Sequence, residues 1–255
     1  MLTKIKTICK KPVFWELAAI SALLLLTVLA LLLFLQRPSP QPPAETTAPV
    51  PTQPATPPVL GIDVSEHQEQ IDWQQVKASG IEFVMIRVGW RGYTYGELFA
   101  DTLAQTHYAG AKAAGLKVGA YIFSQAISVQ EGIAEAAFLL EQTKNWQIDM
   151  YLALNWEYVG EEYPSAAIDA RTLTDITKAF CQTVAQGNRK PMIYFDSYLA
   201  STRLYPQELT EYPFWLAQYA EQIDFSYPVK MWQYTCTGAV PGIDEDVDIN
   251  RYYAQ

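Results

Sequence analysis

The stretch "KVGAYIFSQAISVQEGIAEAAFLLEQTKNWQIDMYLALNWE", residues 117–157, decides how the chain folds. It opens on a short apolar run, "KVGAYIFS", and closes on another, "YLALNWE". Between them lies an amphipathic segment whose Ser128 and Glu131 form a capping box, the mark of a helix start. Strand, helix and strand in succession indicate a parallel sheet covered by helices. In the closing run Leu152, Leu154 and Trp156 alternate with Ala153, Asn155 and Glu157, so Asn155 and Glu157 share one face of a strand. A carboxylate at the end of an apolar strand suits acid chemistry, yet its neighbour on that face is a neutral amide.

The same alternation extends outward in both directions. Upstream, "LGIDVS" reads as a strand, "DWQQVKASG" as a short helix with a glycine stop, "EFVMIRVGW" as a strand and "FADTLAQTHYAGAKAAG" as a helix ending at Gly115. Downstream come the helix "DARTLTDITKAFCQTVAQG" and the strand "KPMIYFD". The runs "FWLAQY", "VKMWQYT" and "VDINRYY" then follow with little helix between them. About eight strands in one such unit predict an α/β fold, a modified β/α barrel with its last helices reduced or missing. An open doubly wound sheet is the other arrangement compatible with the pattern, but no G-x-G-x-x-G or P-loop follows any strand.

The chain has 255 residues, and its first sixty do not read as globular. Leu17 to Gln36 carry no charge and are mostly Leu, Ala, Ile and Val. At about 1.5 Å per residue this run spans roughly 30 Å, the thickness of a bilayer core. Lys4, Lys6, Lys10 and Lys11 precede it and only Arg37 follows closely, which predicts a cytoplasmic N-terminus. A cleavable signal peptide is the alternative, but the run is long and ends in "LFLQRPSP" without a small-residue cleavage site. The Pro- and Thr-rich segment that follows cannot bury a core and reads as an extended spacer. The expected organisation is a cytoplasmic tail over 1–15, a transmembrane signal anchor over 16–36, a Pro-rich linker over 37–59 and a barrel over 60–255. That makes a single-pass membrane protein whose folded domain lies outside the cell, with the lipid bilayer as a partner through residues 16–36.

From Gly61 onward the chain carries 25 acidic and 13 basic residues, a net charge of −12. That balance argues against nucleic acid or an anionic membrane surface as the partner of this part. Cys9, Cys181 and Cys236 suggest neither a disulfide nor a metal site by their spacing, and His67 and His107 are the only histidines. Neither metal nor cofactor is expected.

A barrel of this kind places its active site at the C-terminal ends of its strands. Asp63 in "GIDVS", Glu157 in "NWEY" and Asp248 in "DEDVDIN" fall at such ends. Trp90, Tyr121, Phe123, Gln218, Tyr219, Trp232 and Gln233 fill the others. Carboxylates ringed by aromatic and amide side chains suit glycosidic cleavage, with one Glu as general acid and Asp partners. Taken singly, a strand-end Asp serves equally as a helix cap or loop acceptor, and the Trp and Tyr residues serve equally as core.

The sequence resembles glycoside hydrolase family 25, the lysozymes (muramidases) of peptidoglycan, over essentially all of Gly61 to Tyr253. The resemblance rests on "GIDVSEHQEQIDW", "FVMIRVGW", "VGAYIFSQA", "NWEYV", "KPMIYFDSYL", "FWLAQYA", "MWQYT" and "GIDEDVDIN", in that order. It implies an irregular TIM-like β/α barrel that hydrolyses the β-1,4 bond between N-acetylmuramic acid and N-acetylglucosamine with retention, without metal or cofactor. Peptidoglycan glycan strands are then the substrate, and the wall of a Gram-positive bacterium the implied setting. By motif, Asp63 is the family's first aspartate, Glu157 the glutamate of its D-x-E motif and presumed proton donor, and Asp248 its late aspartate. Tyr121, Gln218, Tyr219 and Gln233 fall in segments that line the family's groove. The aspartate of D-x-E corresponds to position 155, where this chain has Asn155. The resemblance therefore implies a weakened hydrolase, with a catalytically silent peptidoglycan-binding protein, or one acting on chitin-like oligomers, as alternatives. Asn155 removes a negative charge, and by removing a like charge beside Glu157 it is expected to weaken the reservoir of protonated acid.

Overall fold

The computed structural model describes residues 57–253. The predicted tail and anchor, and all but the last residues of the predicted linker, lie outside them. Among the described residues no helix is long and apolar enough to cross a membrane. The described residues form nine strands: β1 (Val59–Val64), β2 (Phe83–Arg91), β3 (Leu98–Ala100), β4 (Lys117–Ser124), β5 (Leu152–Trp156), β6 (Pro191–Asp196), β7 (Phe214–Ala217), β8 (Val229–Gly238) and β9 (Val247–Tyr252). β1 opens at Val59, so the end of the predicted linker is already strand.

All of these strands except β3 close into an eight-strand barrel in the order β1-β2-β4-β5-β6-β7-β8-β9, with β9 pairing back to β1. Neighbours from β1 to β8 run parallel, whereas β9 is antiparallel to both of its partners. The sequence pattern does not reveal this reversal. It follows from a β8–β9 connection too short to hold a crossover helix, which leaves only a hairpin.

Helices α1 (Trp73–Ala78), α2 (Ala104–Ala113), α3 (Val129–Gln142) and α4 (Ala170–Gln186) cover the first part of the barrel. α5 (Ser197–Thr202) is short, and β7, β8 and β9 follow one another with no α-helix between them. The capping box read at Ser128 is half present as a cap: its side chain accepts from the Glu131 amide, while the Glu131 carboxylate accepts from the Ile127 amide. α4 shows why the pattern reads as helix. Asp169 caps its start, and Leu173, Ile176, Thr177, Phe180, Cys181 and Val184 bury one stripe at helical spacing.

One predicted element divides. The first residues of "FADTLAQTHYAGAKAAG" form strand β3 in a hairpin with β2, and helix begins only at Ala104. The divider is Asp101, 6 % exposed, whose carboxylate accepts from the Glu66 amide and from Arg87 Nε, both at 3.0 Å. Those long-range bonds override the helical pattern around it.

Two apolar layers result. The larger lies between sheet and helices. The smaller fills the barrel with Phe83, Met85, Tyr121, Met192, Tyr194, Trp215 and Met231 among others. The large interior residues require small neighbours. A Cβ at Gly119 would sit 2.4 Å from Met85 Sδ and 2.9 Å from the carbonyl oxygen of Tyr151. Gly119→Ala is therefore expected to destabilise the barrel by about 1–3 kcal/mol through overpacking. A urea denaturation curve checks this, with the midpoint falling at unchanged slope.

Candidate active site

Alternation along the parallel strands aims one set of side chains at the barrel mouth. Tyr121 and Phe123 on β4, Ala153 and Asn155 on β5, and Tyr194 and Asp196 on β6 belong to it, with Ala217 on β7 and Gln233 on β8. Glu157 follows β5 directly and is held from behind. The buried Gln125 donates to its backbone carbonyl at 2.7 Å, and Gln125 in turn accepts from the Ser165 hydroxyl.

Asp63 is the centre of the opposite wall. It is 5 % exposed, and its Oδ2 accepts from Asn250 Nδ2 at 2.7 Å and from Gln233 Nε2 at 3.0 Å. Trp215 Nε1 fixes Asn250 by donating to its Oδ1 at 2.7 Å. Gln233 Oε1 accepts from the hydroxyls of Tyr219 and Tyr194, at 2.9 and 3.3 Å. Asp248 lies opposite Asp63 in the β1–β9 register and hydrogen-bonds to it. Burial, the Asp63 charge and that bond push Asp248 up to about 9, and burial raises Asp63 as well. The two carboxyls therefore titrate as a pair.

Glu157 is the second centre. Burial raises its carboxyl, a hydrogen bond from Asn155 lowers it, and the Asp196 and Asp63 charges raise it again, leaving it pushed up to about 6. With a neutral amide at position 155, burial and two other carboxylates are what raise Glu157. The Asn155 amide turns its NH2 to Glu157, while its buried Oδ1 has no hydrogen-bond partner. An orphaned buried acceptor beside a protonatable glutamate is costly to the fold and is commonly retained for a ligand.

The aromatic residues divide. Trp90 is half-buried, stacked on Phe99 with ring centroids 5.5 Å apart and covered by the Arg87 guanidinium at 5.0 Å. Phe123 packs against Tyr93, and Tyr93 against Tyr163. Tyr121 is buried edge-on to Trp215, and Tyr219 is exposed at the rim. Two expected substrate-binding residues are not part of the groove. Trp232 is 1 % exposed and points away from the mouth, because Gln233 beside it points in; its indole N–H donates to the Gln218 carbonyl at 2.7 Å. Gln218 spends its side chain on Asp224, accepting from that residue's amide at 2.7 Å and closing the β7–β8 loop. Asp196, Asn250, Tyr194, Arg87 and Tyr93 belong to the site and escaped the sequence reading. Asp196 was visible as the acidic end of "KPMIYFD", and only its register with Glu157 makes it matter.

A closed barrel whose mouth joins a raised glutamate to a buried aspartate pair beneath an aromatic rim defines a glycoside hydrolase. The family model of glycosyl hydrolases family 25 matches residues 62–243, and the chain belongs to that family. Lysozyme M1 of Streptomyces globisporus is 29 % identical over 209 residues, covering 76 % of this chain and 67 % of that protein. The crystal structure of the bacterial lysozyme from Streptomyces coelicolor matches with a TM-score of 0.64 at 26 % identity, covering 78 % of this chain and 94 % of that one. The modular autolysin LytC from Streptococcus pneumoniae, solved in complex with a synthetic peptidoglycan ligand, matches at 0.65 and 26 % identity over 76 % of this chain. This chain spans only 46 % of the length of that autolysin.

Proposed function

We propose that the barrel is a muramidase, hydrolysing the β-1,4 bond between N-acetylmuramic acid and N-acetylglucosamine in peptidoglycan with retention at the anomeric carbon. The observation that carries this reading is the orphaned Asn155 Oδ1 beside the raised carboxyl of Glu157. Glu157 in its protonated form gives its proton to the leaving glycosidic oxygen as the C–O bond breaks. The substrate's own acetamido oxygen attacks the anomeric carbon from the other face and forms an oxazolinium ring. Asn155 Oδ1 accepts the acetamido N–H and orients that attack. Water then opens the ring, returning a proton to Glu157. Asp63 and Asp248 keep the opposite wall polar and anionic, and the rim aromatics cover the apolar faces of the sugars.

The reading fixes the direction of the pH dependence. The acid works only when protonated, and with Glu157 near 6 about one tenth of the molecules are in that form at pH 7. kcat/KM is therefore expected to fall about tenfold per pH unit above 6, and a rate profile from pH 5 to 8 checks it. The test of function is release of soluble muropeptides and new reducing ends from purified peptidoglycan, beside chitin oligomers. Turnover of chitin alone would place the substrate elsewhere.

The chain's first sixty residues add a location. The charge-free run from Leu17 to Gln36, the lysines before it and the Pro-rich segment after it support a membrane-anchored barrel held outside the cell on a spacer. Deleting residues 1–58 is expected to move the protein from the membrane to the soluble fraction and to abolish its local action on the wall.

A further inference from the structure

Asn155 places a neutral amide on β5 where the reaction proposed above develops positive charge. We infer that Asp196, at the end of β6, supplies the negative charge that position 155 lacks, so that the second carboxylate of the site has moved to the neighbouring strand. This inference rests on the muramidase reading and names the residue that keeps that site working.

The placement comes from the sheet. β5 and β6 are parallel neighbours with Asn155 opposite Tyr194. Two residues further along, on the same face, stand Glu157 and Asp196. Asp196 is half-buried and caps α5, its Oδ1 accepting from the Leu199 amide at 2.7 Å. Among the described residues its Oδ2 carries no hydrogen bond, so half of the carboxylate is uncommitted and lies beside the acid.

The other carboxylates are committed elsewhere. Asp63 Oδ2 already accepts from Gln233 and Asn250, and Asp63 lies opposite Asp248 across the β1–β9 register. Two buried amide donors therefore already hold the Asp63 carboxylate. Of the charges acting on Glu157, Asp196 is the foremost, ahead of Asp63. Capping alone does not account for Asp196, since Asn or Ser caps a helix about as well without a charge.

In the reaction, the glycosidic C–O pair leaves with the departing oxygen, which takes the Glu157 proton. The acetamido oxygen donates a pair to the anomeric carbon, and the resulting +1 charge spreads over the oxazolinium. Asp196 faces that cation across the width of one strand, while Asn155 Oδ1 holds its N–H. No bond to Asp196 forms.

The test uses the full chain and peptidoglycan, with Asp196→Asn made in the parent and in Asn155→Asp. Asn keeps the cap and removes only the charge. In the parent, Asp196→Asn is expected to lower kcat about 10²- to 10³-fold, the usual loss for one such electrostatic contact. In the Asn155→Asp background the same change is expected to cost less than about tenfold, because the charge is present on β5 again. The fall of rate with pH is expected to move to lower pH in Asp196→Asn, as Glu157 loses a neighbouring charge. An unchanged rate, or an equal loss in both backgrounds, overturns the inference and leaves Asp196 a cap. A silent parent made active by Asn155→Asp overturns it too, and leaves Glu157 as the acid. Glu157→Gln, assayed alongside, separates the two failures: if that variant is as active as the parent, the muramidase reading falls. If it is dead while Asp196→Asn is normal, only this inference falls.

Discussion

Glu157→Gln lowers the rate of peptidoglycan cleavage by about 10²- to 10⁴-fold, the range that a positioned general acid contributes. Gln is nearly isosteric and can still accept the Asn155 amide hydrogen, so the fold and sugar binding should persist. What it cannot do is release a proton to the leaving oxygen. The loss should fall on kcat rather than KM, because proton donation matters in the transition state and not in the bound ground state. The variant should also lose the decline of rate above pH 6, since the group responsible for that decline is gone. Steady-state rates across pH 5 to 8 for the parent and the variant check both statements together.

Asp63→Ala has the second large effect, and it reaches stability as well as rate. Asp63 is the acceptor on which the opposite wall converges: Gln233 and Asn250 donate to its Oδ2, and Asp248 lies opposite it across the β1–β9 register. Removing it strands two buried side-chain amides, at about 1–3 kcal/mol each, so a loss of about 2–6 kcal/mol is expected by urea unfolding. Asp248→Asn should be far milder, because it leaves both amides paired with Asp63. A pair of unfolding curves decides the point. Equal losses for Asp63→Ala and Asp248→Asn would contradict the place of Asp63 as the acceptor of this wall.

Most of the barrel was legible because its strands announce themselves by apolar runs and its helices by caps and stripes, as in α3 and α4. Two features were not. β3 hides inside a helical pattern, because the bonds that break the pattern at Asp101 come from Arg87 and Glu66, distant in sequence. The reversal of β9 depends on the short connection before it, and the alternation within "VDINRYY" is the same in either direction. In the site, Asp63 and Glu157 sit at the C-terminal ends of β1 and β5 as the pattern implies, whereas Asp248 is the second residue of the antiparallel β9 and reaches the same mouth from a strand start. Trp232 and Gln218 were misplaced for a related reason: alternation fixes which residues share a face, but the face of β8 that looks inward becomes known only from its neighbours. Gln233, one position on, is the residue that turns to Asp63. Asp196 shows the same limit from the other side. As a sequence feature it is a helix cap, and only the β5–β6 register sets it beside Glu157.

Asn155 is where the residue change and the geometry bear most directly on each other. Position 155 carries a neutral amide rather than a charge, and burial together with Asp196 and Asp63 raises Glu157 to about 6. The amide also offers the acetamido group an acceptor that nothing else in the described residues uses. On the proposed mechanism such a site turns over by the same route as one with a carboxylate on β5, and more slowly.

The most direct measurement is the product of the unmodified chain acting on purified peptidoglycan, reduced with borohydride and identified by mass spectrometry. Soluble disaccharide peptides whose reduced end is muramitol are expected, since the broken bond is at the anomeric carbon of N-acetylmuramic acid. Protein that binds the wall yet releases no reducible sugar would contradict the muramidase reading and leave a glycan-binding barrel.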